Sequence, residues 1–281
     1  MRIVSLRPGR AALLLLLALA DAASAAPASP PLASTHVLVV DDETGLPLLE
    51  KDSQAVAAIA SLTKLMTAMV VLDAKPDLAA PVRITDADLD RIKGTKRGVP
   101  VGALLDRRQL LTLALKASDN HAAAALGRTY PGGSAAFLAA VAEKSRALGL
   151  QQFSIVEPTG LSPLNQASAA DMALILKAAS AYPLIEDITS TAKTRLVVAG
   201  RAAFVRNTNH FVGQRGWDVQ LSKTGFTNEA GKCLAMTLSQ AGRVFRIILL
   251  GGYEQDARNR DVATIQRWLK TAFAETPPRG V

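Results

Sequence analysis

The middle of the chain carries apolar residues at intervals of three and four, which is the period of an amphipathic helix. This spacing predicts helices over residues 61–73, 107–117, 120–128, 134–148 and 167–181. The last of these also has a start signal, because Ser168 and Asp171 stand three apart and can cap its first turn. The central part of the molecule is therefore expected to be helical.

The period changes near both ends of the chain, where short apolar runs are bounded by turn residues. The runs predict an N-terminal hairpin over residues 35–40 and 46–50, strands over 194–198, 219–225, 232–238 and 244–252, and a closing helix over 256–274. Strands at both ends of a helical middle indicate one α+β domain. We expect an antiparallel sheet that joins the hairpin to the C-terminal strands, flanked by helices, with a helical subregion.

The first 25 residues predict a cleaved signal peptide. Arg2, Arg7 and Arg10 form a basic start, residues 11–20 are an unbroken apolar run, and residues 23–25 are small. The apolar run covers only about half of the ~20 residues that a membrane-spanning helix needs, so an uncleaved anchor is the alternative. We expect a signal peptide over residues 1–25, one domain over residues 26–281, and no transmembrane anchor after cleavage.

The chain is basic, with a formal net charge of +8. Cleavage of the leader would remove three arginines and one aspartate and leave +6. A basic exported protein suits a polyanionic partner such as the cell envelope. Nucleic acid is not expected, because aromatics are 4% of residues and no arginines alternate with stacking rings. The basic cluster at residues 93–98 is interpreted as a solvated loop, with a rim that attracts substrate carboxylates as the alternative.

Cysteine and histidine usage argues against disulfides and metals. The one cysteine, Cys233, lies in an apolar strand-like run and is interpreted as a buried structural thiol. His36, His121 and His210 have no His or Cys neighbours at ligand spacing. A Gly-rich phosphate loop is also missing from the sequence. We therefore predict no metal and no cofactor.

One lysine stands out in the first apolar helix. Lys64 follows Ser61 by three positions, so both lie on one helix face and the amine can reach the hydroxyl. At the first turn the hydroxyl also lies at the positive end of the helix dipole. A second Ser-x-x-Lys, from Ser190 to Lys193, leads into a strand-like run and is rejected on that context.

Two further motifs follow in order. Ser118 and Asn120 frame a Ser-Asp-Asn sequence at the break between two predicted helices, where a loop can turn side chains into a cleft. Lys223, Thr224 and Gly225 lie on a predicted strand, and glycine there is expected to leave clearance for a substrate backbone. Ser-x-x-Lys, Ser-x-Asn and Lys-Thr-Gly in this order characterise penicillin-binding proteins and class A β-lactamases.

The resemblance extends beyond these motifs, to residues 59–69, 156–162, 206–210 and 222–228. In these segments the chain resembles the D-alanyl-D-alanine endopeptidases, small penicillin-binding proteins of the low-molecular-mass carboxypeptidase family. The similarity runs from about Thr35 to Trp268. It implies the β-lactamase/transpeptidase-like fold and a catalytic domain, over residues 26–281, that acts on cross-linked peptidoglycan peptides and is acylated by β-lactams.

Three residues are expected to carry the chemistry. A serine hydroxyl is a poor nucleophile until a base takes its proton, and Lys64 can be that base for Ser61 only when neutral. Partial burial and a second cation, Lys223, are both expected to lower the Lys64 pKa. Ser118 is placed to pass a proton to the departing amine.

The remaining site residues are assigned to substrate binding. Asn120 can hold a substrate amide, and Lys223 with Thr224 can anchor a substrate carboxylate beside Gly225. The resemblance implies an oxyanion hole formed by the backbone N–H groups of Ser61 and Phe226, where each donor is typically worth ~3 kcal/mol of barrier.

Some polar residues near the motifs have a structural and a functional interpretation. Glu157 is interpreted as part of a cleft wall, with a deacylation base as the alternative. Asn207, Asn209 and His210 are interpreted as structural hydrogen-bonding residues, with a cleft lining as the alternative.

The function expected from the sequence is a periplasmic serine DD-endopeptidase that cuts the D-alanyl to diamino-acid link of peptidoglycan through an acyl-enzyme. The alternatives are a DD-carboxypeptidase that releases terminal D-alanine, a serine β-lactamase, and a non-catalytic peptidoglycan-binding module. The stretch after Gly225 is already needed for strands and a helix, which favours the endopeptidase over carboxypeptidases with an extra β-rich domain. Loose association with the membrane is left open.

Overall fold

The computed structural model describes residues 28–95 and 98–273. The predicted signal peptide and Ala274, the last residue of the predicted closing helix, lie outside these ranges. The strands are β1 His36–Asp41, β2 Pro47–Lys51, β3 Ala57–Ala58, β4 Pro81–Arg83, β5 Leu104–Asp106, β6 Phe153–Ser154, β7 Gln166–Ala167, β8 Lys193–Val198, β9 Arg201–Arg206, β10 Asp218–Thr227, β11 Gly231–Gln240 and β12 Arg243–Gly252. The helices are α1 Thr63–Asp73, α2 Arg107–Lys116, α3 Asn120–Arg128, α4 Gly133–Ala147, α5 Ala169–Ala179, α6 Pro183–Ser190 and α7 Ala257–Ala272.

The main sheet has five antiparallel strands in the order β10-β11-β12-β1-β2. The N-terminal hairpin thus joins the C-terminal meander, as the sequence predicts, through the pairing of β1 with β12. Alternate residues of β1 enter two different cores: Val37 and Val39 face one side of the sheet, and Leu38 and Val40 face the other. The sheet is therefore a central layer with apolar packing on both faces.

Helices cover the two faces unequally. The larger core joins one face of the sheet to α1 and the other central helices, and nine consecutive residues of α1, from Thr63 to Val71, are buried. The smaller core lies under α7, whose Val262, Ile265 and Leu269 pack on the opposite face. No helix within residues 28–95 and 98–273 is long and apolar enough to cross a membrane.

The sequence predictions of the long elements are confirmed, with small shifts at their ends. The Ser168 hydroxyl accepts a hydrogen bond from the Asp171 N–H at 3.0 Å and caps α5, which begins at Ala169. Helix α6 and strand β9 were not predicted. The helix spans only residues 183–190, and the strand contains Ala202 and Ala203, residues with low strand propensity.

Candidate active site

Ser61 lies in a 3₁₀ turn, Ala60–Leu62, that leads directly into α1. Two glycines pack directly against this turn. A Cβ at Gly160 would lie 2.0 Å from the Ala60 carbonyl oxygen, and a Cβ at Gly225 would lie 2.9 Å from the Ile59 carbonyl oxygen. The backbone around Ser61 is therefore fixed by contacts that only glycine permits.

Lys64 is 1% exposed, and its amine makes three hydrogen bonds. The amine lies 2.9 Å from the Ser61 hydroxyl, 2.8 Å from Asn120 Oδ1 and 2.5 Å from the Thr159 carbonyl oxygen. These partners keep the amine directed at Ser61.

Burial lowers the pKa of Lys64 from 10.5 to about 7. The carboxylates of Glu157 and Asp119 oppose this effect and favour the charged amine. At neutral pH a substantial fraction of the amine is therefore uncharged and able to accept the Ser61 proton.

Ser118 lies in the break between α2 and α3, with a left-handed backbone at φ +60°. The break is held by Asp119, whose carboxylate caps α3 at the Ala122 N–H (2.9 Å) and accepts the Val99 N–H (3.0 Å). A non-glycine residue in this conformation carries strain that the surrounding contacts must hold. The result is that the Ser118 hydroxyl lies 3.0 Å from the Lys223 amine.

Lys223 is also buried, and its amine donates to the Thr224 carbonyl oxygen at 2.7 Å. Its pKa lies well below 10.5, mainly because of burial and then because of repulsion from Lys64 and Arg258. The expectation that burial lowers the Lys64 pKa is confirmed, and the two buried amines repel each other. Burial is the cause that lowers the pKa of Lys64, and the repulsion between the amines lowers the pKa of Lys223.

The Lys-Thr-Gly motif lies on β10, an edge strand of the main sheet. The Thr224 hydroxyl donates to the Thr208 hydroxyl at 2.6 Å, and the Phe226 side chain is 60% exposed. The expected reason for Gly225 is wrong, because the space beside it holds the backbone of residues 59–61 and not a clearance for substrate. Gly225 instead allows β10 to approach the Ser61 turn.

Asn120 stands between two cavities. One, of about 440 Å³, is lined by Ser118, Arg206 and Thr208, and the other, of about 310 Å³, by Leu89, Ile92, Glu157 and Leu161. The side-chain oxygen of Asn120 accepts a hydrogen bond from the Lys64 amine. The side-chain NH₂ of Asn120 is therefore the group that remains for a substrate. Ser118 and Asn120 thus mark the floor of a cleft with room on both sides.

Glu157 is a structural part of the cleft wall. Its carboxylate accepts the N–H groups of Thr159 (2.7 Å), Gly160 (2.7 Å) and Ser162 (3.2 Å). It also accepts the Thr159 hydroxyl and the Asn165 amide. All of these donors belong to the loop that holds Gly160 and the Thr159 carbonyl oxygen, so Glu157 shapes the surroundings of Lys64.

The asparagines at residues 207 and 209 are structural too. Asn207 donates to the Thr189 carbonyl oxygen at 2.8 Å, and Asn209 donates to the Ser222 hydroxyl at 2.8 Å. The exposed His210 ring packs on Phe211, with 4.0 Å between the ring centroids. These contacts fit the structural interpretation given above.

Arg258, at the start of α7, is a charged residue near the site that the sequence pattern does not predict. Its guanidinium is close enough to lower the pKa of both Lys223 and His210. Arg258 therefore adds a positive charge near the Lys223 amine, in a region suited to an anionic substrate. No sequence motif marks Arg258. The only signal is its position in the first turn of the closing helix, directly after the last sheet strand, where its side chain can lie near the site.

Other sequence candidates have structural roles or lie outside the described residues. Cys233 is fully buried, and burial raises the pKa of its thiol to about 11. Lys93 pairs with Glu229, and Lys96 and Arg97 of the basic cluster lie outside the described residues. Within residues 28–95 and 98–273, no three His, Cys, Asp or Glu side chains are grouped to hold a metal ion.

Known proteins of similar sequence match most of this chain. A family model described as D-alanyl-D-alanine carboxypeptidase matches residues 22–252. The chain is 39% identical to a D-alanyl-D-alanine endopeptidase of Pseudomonas aeruginosa, over 95% of this chain and 89% of that one. It is 36% identical to a D-alanyl-D-alanine endopeptidase of Escherichia coli, over 90% of this chain and 83% of that one.

Solved structures give the same result for the fold. A mutant of a Streptomyces DD-transpeptidase superimposes with a TM-score of 0.78 at 25% identity, over 88% of this chain and 100% of that one. A penicillin-binding protein homologue from Mycobacterium tuberculosis superimposes with a TM-score of 0.78 at 26% identity, over 90% of this chain and 95% of that one. The predicted transpeptidase-like α+β fold is confirmed.

Proposed function

This chain belongs to the D-alanyl-D-alanine carboxypeptidase family of serine peptidases, and from that premise we propose that it is a DD-endopeptidase that cuts peptidoglycan cross-links. Membership implies peptidoglycan as the substrate and covalent binding of β-lactams. The observation that carries the mechanism is the buried Lys64 amine, with a pKa of about 7, at 2.9 Å from the Ser61 hydroxyl.

The first step is acylation of Ser61. The neutral Lys64 amine takes the Ser61 hydroxyl proton while the oxygen forms a bond to the carbonyl carbon of the D-alanine residue. Negative charge then develops on the carbonyl oxygen. We assign its stabilisation to the backbone N–H groups of Ser61 and Phe226, which lie on two segments that Gly225 brings into contact.

The second step is loss of the amine. As the carbon–nitrogen bond breaks, the leaving nitrogen needs a proton, and the Ser118 hydroxyl is the group we place there. The Lys223 amine, at 3.0 Å from that hydroxyl, supports the transient negative charge on Ser118. The proton that Lys64 took from Ser61 then passes to the Ser118 oxygen, which restores the Ser118 hydroxyl and the neutral Lys64 amine. Water attacks the ester carbon, Lys64 accepts a proton from this water, and the same proton passes to the Ser61 oxygen as the ester bond breaks.

Substrate is expected to lie along the free edge of β10. An extended peptide can hydrogen-bond to the unpaired backbone of an edge strand, which aligns it without reading its side chains. The Asn120 amide donates to a substrate carbonyl. Lys223, Thr224 and Arg258 supply charge and hydrogen bonds for a carboxylate next to the scissile bond.

Two features favour an endopeptidase over the alternatives. The relatives named endopeptidase match at 39% and 36% identity over most of their length, whereas a Bacillus subtilis D-alanyl-D-alanine carboxypeptidase matches at 27% over 61% of its length. A β-lactamase needs a base for rapid deacylation, and the Glu157 carboxylate is fully engaged by its own loop.

Location and domain extent are part of the same proposal. We infer that residues 1–25 direct export and are cleaved, and that residues 26–281 form the catalytic domain in the periplasm. Peptidoglycan lies outside the cytoplasmic membrane, so an enzyme acting on it has to be exported.

The test uses purified mature protein with two substrates, cross-linked muropeptide dimer and monomeric pentapeptide. Cleavage of the dimer that disappears in Ser61→Ala supports the endopeptidase. Release of free D-alanine from the monomer alone would assign a carboxypeptidase instead. Failure to turn over either substrate, with or without labelling by fluorescent penicillin, would leave a non-catalytic binding module.

A further inference from the structure

Strands β8 and β9 form a separate two-stranded ribbon next to the cleft, and its two faces differ. The register pairs Lys193 with Arg206 and Arg195 with Phe204, so these four side chains share one face. All four are exposed. The opposite face is different, because its Leu196, Val198 and Val205 pack on the main core.

The cations of the outer face have no acidic partner. Lys193, Arg195 and Arg206 make no ion pair with any residue of the described ranges, 28–95 and 98–273. Lys193 instead lies over the Phe204 ring, 5.1 Å from its centroid. The ribbon therefore presents a positively charged stripe with exposed apolar surface at Phe204.

The stripe begins at the cavity that contains Ser118. Arg206 lines the 440 Å³ cavity together with Ser118, which we place at the leaving amine, and with Thr208. From there the ribbon leads to its exposed turn at residues 199–200 with a rise of roughly 3.3 Å per residue, so Arg195 lies about 7 Å beyond Lys193 along β8. This spacing matches alternate residues of an extended peptide.

The ribbon is also held firmly relative to Ser118. The buried Lys116 amine donates to the Thr194 hydroxyl on the inner face of β8 at 2.6 Å. The Lys116 carbonyl oxygen accepts the Thr208 N–H at 3.1 Å. Lys116 ends α2, two residues before Ser118. Lys116 thus contacts both the ribbon and the segment that leads into the cavity, which fixes the ribbon relative to Ser118.

We propose that the outer face of the β8–β9 ribbon binds the peptide strand that leaves during cleavage, as an extended peptide bearing carboxylates. This inference rests on the proposed function. Each residue adds about 3.8 Å, the distance between neighbouring Cα atoms, so a leaving group of one amino acid would stay inside the cavity. Only a leaving group of several residues reaches Lys193 and Arg195, so the ribbon would contribute to cutting cross-links and not to trimming ends.

The test compares Arg195→Glu with the matched control Arg201→Glu. Both substitutions reverse one exposed arginine on the same ribbon, but Arg201 pairs with Val198 and belongs to the other face. Each variant is assayed for dimer cleavage, D-alanine release from pentapeptide and acylation by fluorescent penicillin. Thermal unfolding checks that each is folded, and Arg195→Gln serves if Arg195→Glu is not.

We expect Arg195→Glu to lower kcat/KM for the dimer roughly three- to tenfold, with less effect at high salt, as for other exposed charge pairs. Pentapeptide turnover and penicillin acylation should stay at wild-type values, and Arg201→Glu should match the wild type in all assays. An equal loss in all three reactions, an equal loss in the control, or no loss for the dimer would overturn the proposal.

A binding measurement separates this proposal from the catalytic one. In a Ser61→Ala background, sedimentation with insoluble peptidoglycan is compared with sedimentation with vesicles of phosphatidylcholine and phosphatidylglycerol. Arg195→Glu should reduce the fraction bound to peptidoglycan, whether or not the wild type cleaves dimers. A reduction confined to the vesicles would assign the face to a lipid surface and overturn the inference.

Discussion

Gly160 and Ala60 are in direct backbone contact, although one hundred positions separate them in the chain. A Cβ on Gly160 would lie 2.0 Å from the Ala60 carbonyl oxygen and 2.9 Å from the Ser61 nitrogen. The loop capped by Glu157 therefore sets the position of the Ser61 turn. This contact makes the loop part of the active site without any side chain reaching a substrate.

The first prediction concerns this contact. Gly160→Ala is expected to lower the free energy of unfolding by about 2–4 kcal/mol, because the new methyl group forces backbone apart at φ +86°. Penicillin acylation should be lost with it. Gly45→Ala is the control: its φ is +71° with no atom within 4 Å of the added Cβ, so only the ~1–2 kcal/mol conformational cost applies. Equal effects of both substitutions on acylation would contradict the contact's role.

The second prediction concerns the pH dependence of acylation. A protonated Lys64 cannot accept the Ser61 proton, and its pKa is about 7. The second-order rate of penicillin acylation should therefore rise with pH through about 7 and level off above it. Lys64→Met should lower the rate by roughly 10²–10⁴-fold, the usual contribution of a general base. A rate that stays constant from pH 5 to pH 9 would rule out Lys64 as the base.

The third prediction concerns stability in the same variant. Between the folded pKa of Lys64, about 7, and the unfolded value near 10.5, the unfolded chain binds more protons, so wild-type stability gains from rising pH in this window. In Lys64→Met no amine has to lose its proton when the chain folds, so this variant should be more stable than the wild type at pH 7 by ~1–4 kcal/mol. Its advantage should shrink as the pH approaches 10. Denaturant unfolding at pH 7 and pH 9.5 measures both values, and an advantage that grows with pH would contradict the assignment.

The fourth prediction separates the two interpretations of Glu157. Glu157→Gln replaces an acceptor oxygen by an NH₂ group that faces donors of the Thr159–Ser162 loop, so the variant should lose about 1–3 kcal/mol of stability. Acylation should slow because the loop positions Lys64 and the Ser61 turn. If Glu157 were instead the deacylation base, acylation would be normal and the penicilloyl-enzyme would persist longer than in the wild type.

Much of the fold could be predicted from the sequence because long elements carry strong periodicity. The segments that became α2, α3 and β12 have clear apolar patterns, on one side of the two helices and on both faces of the strand, and their predicted ends differ from the observed ones by a residue at most. Helix α6 and strand β9 are short and gain their stability from packing and from a hairpin partner. Local sequence carries little of that information.

The site shows the same division. Ser61, Lys64, Ser118 and Lys223 belong to motifs whose spacing reflects local geometry, and the structure brings all four side chains together. Arg258 reaches the region through the path of the chain between β12 and α7, which no local pattern encodes. The reason why residue 225 is a glycine could not be predicted either, because it depends on which segment lies beside the strand in three dimensions.

The pairing of β1 with β12 joins His36 to Leu250, nearly the full length of the domain apart. A chain emerging from the ribosome therefore cannot complete its sheet until almost all of it has been synthesised, and such long-range closure is slow. Lys223 lies 105 positions after Ser118, so this contact also needs most of the chain. Nascent or truncated molecules that end before β10 would hold Ser118 without the Lys223 amine, so the complete set of reactive groups would arise only late in synthesis.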